Sequence, residues 1–229
     1  MTINASIAPS LLAADQSRLG EEVRRVEGCG ADRLHLDIMD GNFVPNISFG
    51  PQIVKALRPL TTLFFDVHLM CLKPEILLTP FAQAGAEEII IHVELGERVA
   101  SLIKDIRSLG KKAGLAISPS TPMTAIEPFL DQIDLLLVMT VQPGFGGQEF
   151  MRDCLPKIQQ AAAWRRERKL SHRIGVDGGI DFRIAAECAQ AGADTFVAGT
   201  SLFGARDLKS AIANMRESVN EAAMQGPHD

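Results

Sequence analysis

Two stretches carry the residues that could do chemistry: LHLDIMDG, with His35, Asp37 and Met39, and FDVHLM, with Asp66, His68 and Met70. In each, a histidine, a carboxylate and a methionine occupy alternate positions, with Leu, Ile or Val between them. Side chains of a strand alternate between its faces, so each stretch presents a polar set on one face and an aliphatic set on the other. A lone buried histidine is usually a hydrogen-bonded core residue. Two histidines and two aspartates converging on one interior are another matter. Buried carboxylates need a positive partner, and no inward Lys or Arg is read on these two strands. A divalent cation would neutralise them. His35, Asp37 and His68 supply three ligands, and Asp177, in GVDGGI, could close the set. Two imidazoles and two carboxylates suit Zn²⁺, Fe²⁺, Mn²⁺ or Co²⁺. Met39 and Met70, with Met139 from LLLVMT, would wall such a site with soft apolar surface and keep water out.

The elements that must hold these residues follow from an alternation along the chain. Eight short β-rich runs occur, at 6–10, 33–39, 63–70, 88–94, 112–118, 134–140, 173–177 and 195–199. Between them lie segments such as VASLIKDIRSLG, with apolar residues at helical spacing and a closing glycine. The phrases GCGAD, QAGAEE and QAGAD write the same helix-to-strand joint three times. Strands alternating with helices imply βαβ units and a parallel sheet. Eight units in 229 residues predict an α/β fold, a (β/α)8 TIM barrel forming a single domain over 1–229, with the tail 222–229 frayed. On that fold the polar sets point into the barrel from adjacent strands, near the C-terminal ends where barrel active sites lie. His92 and Glu94 are expected to support the site through hydrogen bonds, Asp66 to orient His68, and His172 and His228 to sit on the surface.

Glycine-rich turns follow the last three strands: VQPGFGGQEF with Gly144, Gly146 and Gly147, DGGI with Gly178 and Gly179, and AGTSLFG with Gly199 and Thr200. Glycine lets backbone amides approach an anion closely, and a helix N-terminus adds free N–H groups. One such turn is usually only a turn. Three on consecutive barrel strands imply a ligand with a phosphate at one end and a cation near the other.

Composition excludes other classes. With 46% apolar and 22% charged residues and a net charge of −5, the chain is neither disordered nor a nucleic-acid binder. The basic run WRRERK reads as a solvated helix face. No apolar run approaches the ~18 residues a membrane span needs, and the N-terminus lacks a signal-peptide pattern. Four scattered cysteines without a CxxC pair fit reduced thiols in the cytoplasm.

With these residues assembled, the chain resembles the ribulose-phosphate 3-epimerase family. IAPSLLAAD, LHLDIMDGNFVPNISFGP, FDVHLM, IHVE, GLAISPSTP, VMTVQPGFGGQEF, GVDGGI and AGADTFVAG carry the resemblance over nearly the whole chain. It implies a ribulose-phosphate-binding barrel that interconverts D-ribulose 5-phosphate and D-xylulose 5-phosphate with one divalent metal ion. Its metal ligands would be His35, Asp37, His68 and Asp177, and its acid/base pair Asp37 and Asp177. Ser10 and His68 would contact substrate, with Met39, Met70 and Met139 packed beside it. Gly144, Phe145, Gly146, Gly147, Gly178, Gly179, Gly199 and Thr200 would hold the phosphate.

The chemistry accounts for these residue types. The C3 hydrogen lies next to the C2 carbonyl, so its removal gives an enediolate whose charge a cation would hold. Two carboxylates, one ionised and one protonated, would take the proton from one face and return it to the other. Where the family commonly reads GSA, this chain has Gly199-Thr200-Ser201. An epimerase of D-allulose 6-phosphate also carries GTS but usually lacks the glycine present here as Gly179, so the pentose phosphate is favoured. A non-catalytic sugar-phosphate-binding barrel would lack an acid or a base, and both aspartates are present. A homo-oligomer with no nucleic-acid or membrane partner is expected, serving the pentose phosphate pathway or carbon fixation (the Calvin cycle).

Overall fold

The computed structural model describes residues 5–225. Eight strands form one parallel sheet: β1 (Ser6–Pro9), β2 (Arg33–Met39), β3 (Phe64–Met70), β4 (Glu88–His92), β5 (Lys112–Ile117), β6 (Leu135–Met139), β7 (Arg173–Asp177) and β8 (Thr195–Ala198). Their order is β1-β8-β7-β6-β5-β4-β3-β2. The two ends of that order meet through a bridge between Ser10 and His35, and through the Asp32 amide, which donates to the Ile7 carbonyl at 3.1 Å. The sheet is therefore a nearly closed barrel. Its outer layer is α1 (Leu19–Gly28), α2 (Pro51–Leu57), α3 (Leu78–Ala84), α4 (Val99–Ser108), α5 (Leu155–Glu167), α6 (Phe182–Gln190), the short α7 (Thr200–Phe203) and α8 (Leu208–Gln225). Residues 222–225, within the tail expected to fray, are helical; 226–229 lie outside the described residues.

Local sequence explains the pieces. The Asp181 side chain accepts from the amides of Arg183 and Ile184, at 2.9 and 2.8 Å, and so starts α6. The three repeated joints all turn on a left-handed glycine, with φ 89° at Gly30, 108° at Gly85 and 109° at Gly192. Each releases the chain from a helix into the next strand.

Most of the core lies between sheet and helices, around fully buried Phe65, Phe81 and Phe196. Burying each such ring is worth about 2–3 kcal/mol. Inside the barrel, Ala8, Ile90, Ala116, Leu135, Leu137 and Val197 form a smaller apolar plug. Strands β1, β4, β5, β6 and β8 supply this plug, while β2, β3 and β7 carry the clustered histidines and aspartates and β4 adds buried Glu88 and His92. The four cysteines are unpaired thiols, three of them buried. No helix among the described residues is long and apolar enough to cross a membrane.

Two expectations about polar side chains change. Arg33 does point inward from the first position of β2, at 7% exposure. It lies 2.5 Å from Glu88 and 3.5 Å from Asp66, so part of the buried negative charge is neutralised by protein after all. A charged residue at a strand's first position reads in sequence as the solvated end of that strand, which hid it. His172 is not on the surface: it is 2% exposed, with Nδ1 3.1 Å from the Leu130 carbonyl. Burial, with the nearby Arg165 charge, lowers its pKa. His228 lies outside the described residues.

Candidate active site

Register places the site. Along the β2–β3 ladder His35 pairs with Asp66, Asp37 with His68 and Met39 with Met70, and Met139 of β6 pairs with Asp177 of β7. One ligand atom from each of His35, Asp37, His68 and Asp177 falls within 4.8 Å of the others. Asp37 Oδ1 lies 3.3 Å from both His35 Nε2 and His68 Nδ1, and Asp177 Oδ2 lies 3.8 Å from both. Bonds of about 2.1 Å to a common cation separate tetrahedral ligands by about 3.4 Å, so the four converge at metal-binding spacing. The fully buried His35 Nε2 has no hydrogen-bond partner among the described residues, an orphan that a cation would satisfy. The cluster could hold a divalent metal ion.

The side chains around the cluster fix its geometry. Ser10 Oγ donates to Asp37 Oδ2 at 2.6 Å, and the Ser48 hydroxyl donates to the Asp37 carbonyl. Asp66 was expected to orient His68, but its Oδ1 lies 3.2 Å from His35 Nδ1 instead. The residue opposite in the ladder is also the nearer imidazole. His68 finds its partner one strand further on, where its Nε2 meets His92 Nε2 at 2.8 Å.

Electrostatics separates the two carboxyls. Burial raises the pKa of Asp37, but the His35 and His68 imidazoles outweigh it and hold the group well below the usual carboxylate range. Burial, reinforced by the Asp37 charge, pushes Asp177 up to about 7. The two environments thus push the carboxyls apart, Asp37 down and Asp177 up. Burial also lowers His68, to about 4, against the pull of the nearby Asp37 carboxylate. His35 is raised well above its ordinary value because Asp37 and Asp66 outweigh the burial.

Above the cluster opens a cavity of about 280 Å³. Ser10, Asp37, Asp177, Met39, Met70 and Met139 line it near the cluster, and Gly144, Phe145, Gly146, Gly178, Gly179, Gly199 and Thr200 line it at the ends of β6, β7 and β8. His35 and His68 are fully buried behind it, and Gly147 lies off its wall. The glycines of DGGI are dictated by space. At Gly178, φ is 119° and a Cβ would come within 2.4 Å of Val141; at Gly179, φ is 66° and a Cβ would sit 2.4 Å from the Phe150 amide. Sequence reasoning missed Leu12, Ala13, Val141, Gln142, Pro143, Ile180 and Val197, which also line the cavity. The VQPG run before Gly144 was the available signal for three of them.

The loop after β2 closes over the methionines. Asp40 accepts from the amides of Asn42, Phe43 and Leu72, at 2.9, 2.8 and 2.8 Å. That turn packs Phe43 and Val44 against Met39 and Met70. Asn46 donates to the Gly144 carbonyl at 2.9 Å, which ties the β2 and β6 loops together across the mouth.

Known proteins of similar sequence and shape agree with this geometry. A family model described as the ribulose-phosphate 3 epimerase family matches residues 6–203. The ribulose-phosphate 3-epimerase of Synechocystis sp. is 47% identical over 220 residues, covering 95% of this chain and 96% of that protein. The enzyme of the same name from Bacillus subtilis is 45% identical over 93% of this chain and 98% of its own length. The chloroplastic ribulose-5-phosphate-3-epimerase of Arabidopsis thaliana is 43% identical over 95% of this chain and 78% of that protein. Two solved barrels share the fold at low identity. KGPDC from Streptococcus mutans has a TM-score of 0.72 at 14% identity, covering 95% of this chain and 98% of that one. A tryptophan synthase α-subunit from Pyrococcus furiosus has a TM-score of 0.68 at 15%, covering 98% and 100%. Sequence likeness at this level, carried through the ligand cluster and the glycine turns, makes the chain a member of the ribulose-phosphate 3-epimerase family.

Proposed function

We propose that this chain interconverts D-ribulose 5-phosphate and D-xylulose 5-phosphate by moving the C3 proton between Asp37 and Asp177. The observation that carries the reading is the meeting of these two carboxyls, from β2 and β7, at the floor of one cavity, in environments that push their pKa values in opposite directions. Epimerisation needs an ionised carboxylate to take the proton and a protonated carboxyl to supply one from the other side. Ser10 holds Asp37 in one orientation, and the methionine wall excludes water without offering an acidic proton of its own. Gly178, Gly179, Gly199 and Thr200, with the Gly144–Gly147 turn, would bind the phosphate through backbone amides. His35, Asp37, His68 and Asp177 would hold one divalent ion (Zn²⁺, Fe²⁺, Mn²⁺ or Co²⁺), whose Lewis acidity would ease loss of the C3 proton.

On this reading the protein is a cytoplasmic enzyme with a small sugar phosphate as its partner. Self-association into a homo-oligomer is supported by Ile47, Leu72 and Ile76, which are exposed on the loops after β2 and β3. The test is proton NMR of D-ribulose 5-phosphate with the protein in D₂O, with and without a chelator. Xylulose 5-phosphate carrying deuterium at C3, suppressed by chelation, is the expected result. A metal-replete protein that exchanges nothing at C3 would refute the assignment, and D-allulose 6-phosphate would then be the next substrate tried.

A further inference from the structure

His92 and Glu94 stand outside the four-residue cluster, yet both are fixed by several contacts. His92 is fully buried. Its Nε2 lies 2.8 Å from His68 Nε2 and its Nδ1 lies 2.9 Å from Glu94 Oε2. The two rings stack with centroids 5.0 Å apart, and Phe43 packs on the second at 4.7 Å. Glu94 Oε1 accepts from the Ser118 amide at 2.8 Å and from the Thr121 hydroxyl at 2.5 Å. Lys157, reaching in from α5, holds that loop through the carbonyls of Ser118 and Thr121, at 2.8 and 2.6 Å.

We propose that Glu94 and His92 are positioning residues that fix the tautomer of His68, so that Nδ1 presents its lone pair to the bound cation. The inference rests on reading His35, Asp37, His68 and Asp177 as cation ligands.

Two imidazole nitrogens 2.8 Å apart hold one hydrogen between them, and either ring could supply it. Glu94 decides which. A backbone amide can only donate, so Oε1 accepts from Ser118, and Oε2 of the same carboxylate accepts from His92. The hydrogen of a neutral His92 is thus on Nδ1, and its Nε2 is bare. His68 must then carry its hydrogen on Nε2, which leaves Nδ1, 3.3 Å from Asp37 Oδ1, free to ligate. Metal-bound histidines usually give their second N–H directly to a carboxylate, a carbonyl or water. His35 has Asp66 in that position, 3.2 Å from its Nδ1. His68 has another imidazole instead, which needs a third group to hold its direction.

Glu94→Gln tests this because an amide cannot accept on both sides. With its oxygen toward Ser118, the NH₂ faces His92 Nδ1 and drives the His92 hydrogen to Nε2, against that of His68. Turned round, the NH₂ meets the Ser118 N–H. The metal-stripped full chain, wild type and E94Q, would be titrated with Co²⁺ by visible absorption. Imidazole ¹⁵N shifts would be recorded on histidine-labelled protein. We expect E94Q to bind Co²⁺ about 10–100-fold more weakly with unchanged far-UV circular dichroism, and wild-type His92 to be protonated at Nδ1. Equal Co²⁺ affinity in folded E94Q overturns the proposal. So does wild-type His92 protonated at Nε2, a result that needs no variant and stands even if E94Q misfolds. Wild-type protein that takes up no Co²⁺ overturns the underlying cation reading, and this inference with it.

Discussion

Charged residues are buried at both ends of the barrel interior, and the two ends neutralise them differently. At the N-terminal end Arg33 sits between Glu88 and Asp66, at 2.5 and 3.5 Å, so protein matches protein. At the C-terminal end Asp37 and Asp177 face two imidazoles rather than a guanidinium or an ammonium. In the first the chain supplies its own countercharge, though the Asp66 oxygens make no hydrogen bond among the described residues, whereas in the second the four-residue cluster could take a divalent cation. Asp66 joins the two, with Arg33 on one side and His35 on the other. A matched cluster therefore reads as scaffold and an unmatched one as a site.

The largest effect that would sharpen the contrast is Asp177→Asn. It keeps the shape but removes the titrating carboxyl, and should cost about 10³- to 10⁴-fold in kcat with the circular dichroism spectrum unchanged. Retention of a tenth of wild-type turnover would break the two-carboxylate mechanism. Next comes Arg33→Leu at the matched end. It strands two buried carboxyls and should cost about 3–5 kcal/mol of stability in urea unfolding, with kcat within about tenfold for the protein that folds. A larger loss of kcat than of stability would mean that the N-terminal end also belongs to the site.

The smallest expected effect is a pH response of opposite sign from two glutamates. Burial raises the Glu94 carboxyl, but the His92, Thr121 and Ser118 hydrogen bonds outweigh it and hold the pKa at about 2. A depressed folded value means that its stabilisation is complete above the unfolded value, about 4.5, and is lost as pH falls from there toward about 2. Glu88 is raised, by burial first and against the pull of Arg33, so its contribution is instead lost as pH rises through its folded value. Unfolding free energies from urea titrations should fall between pH 6 and pH 3 by about 1–2 kcal/mol more for wild type than for E94Q. Parallel curves would remove Glu94 from the acid response.

How legible all this was in sequence depended on whether a residue's role followed from its own strand. β2 and β7 match their expected bounds residue for residue, because polar and aliphatic residues alternate cleanly there. His35, Asp37, His68 and Asp177 came together as expected, since period-2 alternation on adjacent barrel strands leaves few other arrangements. β4 stops at His92, two residues short of its expected end, and Glu94 lies in the 3₁₀ turn that follows. His172 was misread because its burial comes from segments distant in sequence, with its Nδ1 against Leu130 and the Arg165 charge of α5 nearby. The partner of Asp66 depends on interstrand register, which composition and spacing do not encode.

One feature of the sheet links the candidate site to the integrity of the cylinder. Seven ladders tie the strands in the order β1-β8-β7-β6-β5-β4-β3-β2, while β1 and β2 meet through the bridge between Ser10 and His35 and the bond from Asp32 to Ile7. The thinnest seam of the barrel thus runs beside the His/Asp cluster, where the Ser10 hydroxyl reaches Asp37 across it. A ligand that engages both sides of that seam works as a clasp. Its binding free energy adds to that of the folded state, and the residues proposed to act on substrate also button the barrel shut.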